Sequence, residues 1–216
     1  VQRQAGQVKE SWLTACEIQP CPTNCAIYIQ PLGDVDQKLL AKIKTAVKDF
    51  YGAKTETLPS IPLSRKKDYY VASRNQFNAS LVLADVTRQI KLPDDALAVV
   101  MIMRESMFAD NLRWSYMRRE GRLVLVSYFM WASDGQAWCE IALRNSVVAD
   151  VALTMNVKGG EYPCVTSGSD NAHSILRKKF AFSEPVQAKY KALDLSAEQQ
   201  QNIDFFRKAG ATIVSP

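Results

Sequence analysis

The run Ala98-Val99-Val100-Met101-Ile102-Met103 constrains this chain more than any other feature. It is continuously apolar and bounded by charges, with Asp94 and Asp95 shortly before it and Arg104 and Glu105 after it. A short run without polar alternation suits a central strand of a sheet buried on both faces.

The flanking segments fit that sheet. Ala26-Ile27-Tyr28-Ile29-Gln30 reads as a short strand ended by Pro31 and Gly33. Asp36 then caps a helix in which Leu39, Leu40, Ile43, Val47 and Phe50 recur near helical period, and Gly52 ends it. Residues 55–58 read as a second strand, and a proline- and base-rich loop covers 59–68. Phe77, Leu81, Val82 and Val86 predict an amphipathic helix. Residues 112–116 and 122–128 read as two strands joined by a turn at Glu120-Gly121.

The longest helix is expected from Gln136 to about Val157, with Trp138, Ile141, Ala142, Val148, Val151, Ala152 and Met155 on its apolar stripe. Gly159-Gly160 supplies a stop signal. A last helix is expected to start at Ser196 as N-cap and to run through Ile203, Phe205 and Phe206 to Gly210. The order predicts an α+β or mixed α/β single domain. Its parts are an N-terminal extension over 1–25, a domain over 26–193, and a C-terminal helix and tail over 194–216.

Composition narrows the function. With 216 residues and 47% hydrophobic content the chain can bury one substantial core. No apolar stretch reaches the roughly 18–20 residues that span a bilayer. The net charge of +5 is mild, and the short runs Arg65-Lys66-Lys67, Arg118-Arg119 and Arg177-Lys178-Lys179 read as solvated faces. No nucleic-acid partner is expected. Cys16, Cys21 and Cys25 lie within ten residues of one another. They read as a disulfide in an oxidising compartment, as free thiols of a cytoplasmic protein, or as part of a cysteine-only metal site. The chain opens on Val1 and not on methionine, so a removed leader or an artificial boundary is expected ahead of it. A secreted or periplasmic protein is the first expectation, a cytoplasmic one the alternative. With His173 as the one histidine, a catalytic zinc of the usual histidine-ligated kind has no ligand set.

The landmarks together resemble a family. Ile27-Tyr28-Ile29-Gln30-Pro31-Leu32-Gly33 is similar to the "IQPL" first strand of archaemetzincins. Leu58-Pro59, followed by residues 70–78 (YVASRNQFN), resembles that family's proline and its "R-x-Q-Y" helix start. Residues 111–116 (NLRWSY), then 121–127, resemble its "N-x-V-F-G" strand and the strand after it. The resemblance spans most of 26–190 and implies a metzincin-like α+β fold. That fold has a twisted, mostly parallel sheet, a long active-site helix and a helical C-terminal part.

Archaemetzincins are zinc peptidases with the signature H-E-x-x-H-x-x-G-x-x-H-C-x4-C-x-M and a later C-x-x-C. Two histidines four apart project from one helix face onto one metal ion, and the glutamate between them serves as general base for the zinc-bound water. Anchored on Cys164 as the second signature cysteine, the spacing runs without gaps. The histidine positions fall on Val148, Ala152 and Lys158, and the glutamate on Ala149. The glycine falls on Met155, the first cysteine on Gly159 and the methionine on Thr166. The "F-C-x-x-C" falls on Phe182-Ser183 and Val186. Val148, Ala149 and Ala152 would let a former metal pocket close as ordinary core, and Met155 would let the helix run a turn further. Lys158 could supply a cation where the third ligand stood, facing Asp150 or Glu161, or could simply be a solvated lysine near a helix C-terminus.

Other candidates are weaker. Asp170, His173 and Ser174 could be drawn as a triad, but no nucleophile elbow accompanies them. Cys139 reads as a buried thiol. Asn78-Ala79-Ser80 matches a glycosylation sequon at a helical position. Asp94-Asp95 reads as a loop and helix cap. The resemblance implies that Asn111, Trp114, Tyr116, Tyr128 and Trp131, with Lys158, border a cleft where an extended peptide could add to the sheet edge. Plain core packing is the alternative for the aromatic ones. The reading is a catalytically inactive, metal-free relative without a cofactor, binding a peptide or a partner protein. The alternatives are an enzyme with a non-standard site and a structural subunit of a larger assembly.

Overall fold

Ala26–Leu32 forms β1, and all seven residues are buried. The computed structural model describes residues 25–157, 164–167 and 174–215 of the chain. After β1 the chain enters α1 (Gln37–Tyr51). Asp36 Oδ1 accepts the amides of Lys38 and Leu39 at 2.8 and 3.1 Å, which satisfies two of the orphan donors of the first turn. Gly52, at φ 63°, closes the helix in the left-handed region. Next come β2 (Lys54–Thr57), β3 (Tyr70–Val71), β4 (Gln76–Asn78) and α2 (Ala79–Thr87). Then follow β5 (Lys91–Pro93), β6 (Ala96–Met103), β7 (Met107–Phe108), β8 (Met117–Glu120) and β9 (Leu123–Ser127). The chain ends with α3 (Gln136–Thr154), α4 (Glu184–Lys191), α5 (Leu195–Lys208) and β10 (Thr212–Val214).

The main sheet has the order β2-β1-β6-β9-β8, parallel except for β8, which runs antiparallel to β9 at the edge. All eight residues of β6 are buried, as its unbroken apolar sequence requires. Ala98, Val100 and Ile102 face one way, with Ile27, Ile29, Val124 and Val126, into a core completed by α1 and α3. Val99, Met101 and Met103 face the other way, into a core completed by α2 and by Ile203 and Phe206 of α5. Each such side chain contributes about 1.5–3 kcal/mol of burial, so the strand anchors both layers. The fold is thus mixed α/β with a mostly parallel sheet.

Several local readings change. Residues 112–116 are not a strand. The Arg74 guanidinium donates to the carbonyls of Leu112 and Arg113, at 3.2 and 2.6 Å, so these are not available to a ladder. The strand starts at Met117, and the turn at Glu120-Gly121 is where the sequence puts it. Gly121 sits at φ 55°, with the Phe205 ring where a Cβ would lie, so the turn requires glycine on two counts. Phe77 lies in β4, and Asn78 caps α2 with its Oδ1 accepting the amides of Ser80 and Leu81. Asp94 and Asp95 cap no helix: they form the turn between β5 and β6, where Asp95 accepts the Tyr28 hydroxyl at 2.6 Å. Asp194, not Ser196, caps α5, which ends at Lys208. The helix α4 has no counterpart in the sequence reading, because it buries only Val186 and Tyr190.

The long helix also stops early, at Thr154. Asn156 takes the left-handed conformation at φ 58°. The Val157 amide returns to the Ala152 carbonyl at 2.9 Å, and the Asn156 amide to that of Leu153 at 3.2 Å. This is a Schellman motif with asparagine in the position glycine usually fills. The turn therefore survives Met155, and the helix gains no extra turn. Gly159 and Gly160 lie outside the described residues, as do Cys16, Cys21, Lys158, Glu161, Asp170 and His173.

Among the described residues, no helix is long and apolar enough to cross a membrane.

Candidate functional site

The C-terminal half of α3 carries the positions of interest. Every residue from 145 to 152 is buried. Val148 and Ala152 are completely enclosed, and Ala149 is 9% exposed. The Tyr51 hydroxyl, reaching from α1, donates to the Val148 carbonyl. Val148, Ala149 and Ala152 share one cluster with Val165, Phe182 and Tyr190. None of the three offers a donor atom to a metal. Among the described residues, no three His, Cys, Asp or Glu side chains come close enough together to hold one. The residues described here therefore do not fit a catalytic zinc on this helix.

Asp150 is what the sequence reading undervalued. It follows Ala149 directly, is 3% exposed, and stands within an otherwise apolar stretch. Burial raises its pKa from the usual 3.8 to about 7, and the charges of Arg119 and Lys178 pull against that rise. Tyr51 and Tyr116 feel the Asp150 charge as well as their own burial, and both phenols are raised. The site thus holds a buried carboxyl whose pKa is raised toward neutral pH, within electrostatic reach of two phenols and two cations. The signal in the sequence was one Asp between Ala149 and Val151 on a stripe with no room for charge.

Lys178 belongs to a basic run that reads as a solvated face, yet its stem is half-buried and burial lowers its pKa. Its ammonium donates to the Val165 carbonyl at 3.2 Å and to that of Ser167. The same turn holds Cys164, 4% exposed. Burial pushes the thiol up, but contacts from the Thr166 hydroxyl and the Ser183 amide, each 3.2 Å from the sulfur, outweigh burial and draw its pKa down. Cys164 and Ser183 are thus in contact across 19 residues of chain, and Val186 lies in the same core cluster. These are three positions that the gapless spacing assigned to one paired-cysteine site.

The expected cleft residues divide. Trp114, Tyr116 and Trp131 form a chain of rings, with centroids 5.7 and 5.5 Å apart. Trp131 is wholly buried, and Tyr128 is buried with its hydroxyl 3.4 Å from the Asp36 amide. Both brace the wall from inside and cannot touch a partner. Trp114 and Tyr116 are partly exposed, and Asn111 is exposed beside them in sequence. The Trp114 indole N–H is buried and finds no acceptor among the described residues. Beyond these rings lies β8, an edge strand with no neighbour on its outer side among the described residues. Its Arg118 pairs with Asp110 at 2.5 Å.

Two other candidates lose chemical interest. Burial, with Asp134 and Asp36 nearby, pushes the Cys139 thiol up to about 11, which makes a poor nucleophile. The Asn78 side chain of the sequon is occupied as a helix cap. A cavity of about 870 Å³ lies elsewhere, against the other half of α3.

No protein-family model matches the chain. No curated protein sequence matches it. Solved structures do. The crystal structure of archaemetzincin from Archaeoglobus fulgidus, complexed with malonate, matches with a TM-score of 0.64 at 20% identity, over 76% of this chain and 99% of that one. Archaemetzincin from Methanopyrus kandleri gives 0.64 at 16% identity, over 83% and 98%. A zinc-dependent peptidase from Methanocorpusculum labreanum gives 0.63 at 12% identity, over 76% and 99%.

Proposed function

On this archaemetzincin-like fold, we propose a metal-free, catalytically inactive module that holds an extended peptide or a segment of a partner protein along β8. The observation that carries the reading is the content of α3. Val148, Ala149 and Ala152 are packed aliphatic side chains where a peptidase of this shape would need two ligands and a base. A zinc ion there would meet neither lone pairs nor open space. The binding half of the reading rests on the unpaired outer edge of β8, with Trp114 and Tyr116 partly exposed beside it. An added strand would gain main-chain hydrogen bonds from the edge and side-chain contact from the rings.

Two measurements on the purified protein test this. Elemental analysis should find well under one zinc per chain, and a random peptide library should remain uncut. One tightly bound zinc per chain with cleavage of any library member would defeat the proposal. Extended peptides should bind, with Trp114→Ala weakening them about tenfold, or ~1.4 kcal/mol. Affinity indifferent both to Trp114→Ala and to N-methylation of alternate peptide amides would remove the sheet edge from the account.

A further inference from the structure

A groove of about 870 Å³ is lined by α1, the N-terminal half of α3 and residues 176–180. It is lined by other elements than the proposed peptide edge, which is β8, and that reading does not use it. Its lining is mostly apolar. Ala41, Thr45 and Ala46 make α1 shallow here, while Ile141 and Phe180 form the opposite wall. Trp138 stands at the mouth, 46% exposed, on a helix whose other end is entirely enclosed. A tryptophan left this open is costly to solvate and is the residue type most often found at the centre of a binding surface.

The rim has a definite sign. Lys42, Arg144, Arg177 and Lys179 present their charges to the groove, while the Lys178 ammonium is turned away to the Val165 and Ser167 carbonyls; against them stand two carboxylates, Asp49 and Glu140. Glu140 is already paired with Lys42 at 2.6 Å. The Arg144 guanidinium carbon lies over the Phe180 ring, 4.3 Å from its centroid, so one cation is held over the apolar wall. A ligand complementary to this surface is apolar along one face and acidic beside it. From Ala41 to Asp49 the α1 wall spans about 12 Å, a little over two helical turns. The groove is only partly enclosed, which suits a helix laid into it better than a small molecule that needs enclosure on all sides.

We propose that this groove docks an amphipathic, acidic helix of a partner protein, with Trp138 as the central contact and the Arg144–Lys179 side as its charge reader.

The test is a selection from a displayed library of random 16-residue peptides against the full-length chain. Enriched sequences should carry large apolar residues three and four apart with Asp or Glu beside them. Synthetic copies should lose at least tenfold in affinity on Trp138→Ala. They should lose severalfold on Lys179→Glu, an effect that shrinks as salt is raised. Both side chains are at the surface, so the variants should stay folded, with melting temperatures within a few degrees of wild type. Trp114→Ala should leave this binding unchanged. Enrichment of basic or uncharged peptides would overturn the proposal. So would peptides indifferent to Trp138→Ala, peptides lost on Trp114→Ala instead, or displacement of every selected peptide by dodecanoate at equal concentration.

Discussion

The two ends of α3 lie in opposite environments. Over residues 145–152 the helix is enclosed on every side, and even its polar members Asn145, Ser146 and Asp150 are buried. Over 136–138 it is exposed, and it carries Trp138 and Ile141 along a partly enclosed groove. One helix thus serves as core at its C-terminal end and as surface at its N-terminal end. The lesson concerns where a chain of this shape can keep function. The end where the archaemetzincin spacing sets metal ligands is built from small aliphatic residues and contributes stability. The surfaces we propose for recognition lie at the sheet edge and at the other end of the helix.

The comparison breaks if a charge is tolerated equally at both ends. Ala152→Glu forces a carboxylate and extra volume into a site with no exposure. It should cost more than about 4 kcal/mol and lower the melting temperature by about 10 °C or more. Ala137→Glu, in the first turn of the helix and exposed, should change stability by less than about 0.5 kcal/mol. Thermal denaturation of the two variants side by side decides it, and equal shifts would show the two ends to be equivalent.

Next in size is the clamp at the C-terminal end. The Arg122 guanidinium, beside the β8–β9 turn, donates to the Thr154 carbonyl at the end of α3 and to Glu198 of α5. Both side chains of that pair are largely buried, so removing one leaves the other uncompensated. Arg122→Ala should cost about 3 kcal/mol by urea denaturation, and Arg122→Ala combined with Glu198→Gln should cost less than the sum of the two single changes. Additive costs would mean that the pair is not a unit.

Much of this frame was legible in the sequence, and the limits have physical causes. β6 and α1 announce themselves through local signals: an unbroken apolar run, the Asp36 cap, helical period and Gly52. The proximity of Cys164 and Ser183 was implied by spacing within the family resemblance. The split along α3 was not readable, because its apolar residues extend through both halves and only the covering elements decide which half is core. The loop over 112–116 was misread for a similar reason. Arg74, 38 and 39 residues away in the chain, captures the carbonyls that would have made a strand. Gly159-Gly160 drew the helix stop past the residue that provides it, since asparagine is a weaker C-terminal signal than glycine although it fills the same conformation.

The third test sharpens the contrast through pH. Asp150 keeps its proton in the folded protein up to about pH 7, whereas in the unfolded chain it releases it near 3.8. Below pH 4 both states bind the proton and nothing is lost. Between 4 and 7 the unfolded state binds fewer protons, so stability falls as pH rises, and above 7 the loss is complete. Three pKa units set a ceiling of about 4 kcal/mol. Asp150→Asn removes this dependence. It should match wild type at pH 4 and exceed it by about 2–4 kcal/mol at pH 8. A variant no more stable than wild type at pH 8 would mean that Arg119 and Lys178 already hold Asp150 ionised.

The smallest expected effect is the one that matters most for recognition. Trp138 is nearly half exposed, so Trp138→Ala gives up only part of the burial of a large side chain and should cost about 1–2 kcal/mol. Leu143, on the same helix but fully buried, should lose about 2–5 kcal/mol on replacement by alanine. The pair forms an internal control measured in one denaturation series. If the tryptophan proves as costly as the leucine, then Trp138 is core and the trough is a packing defect, not a surface shaped for a ligand. If it costs clearly less, a large aromatic side chain is kept at the mouth of a cationic groove for only part of the burial it could give, and folding alone offers little reason for it to be there.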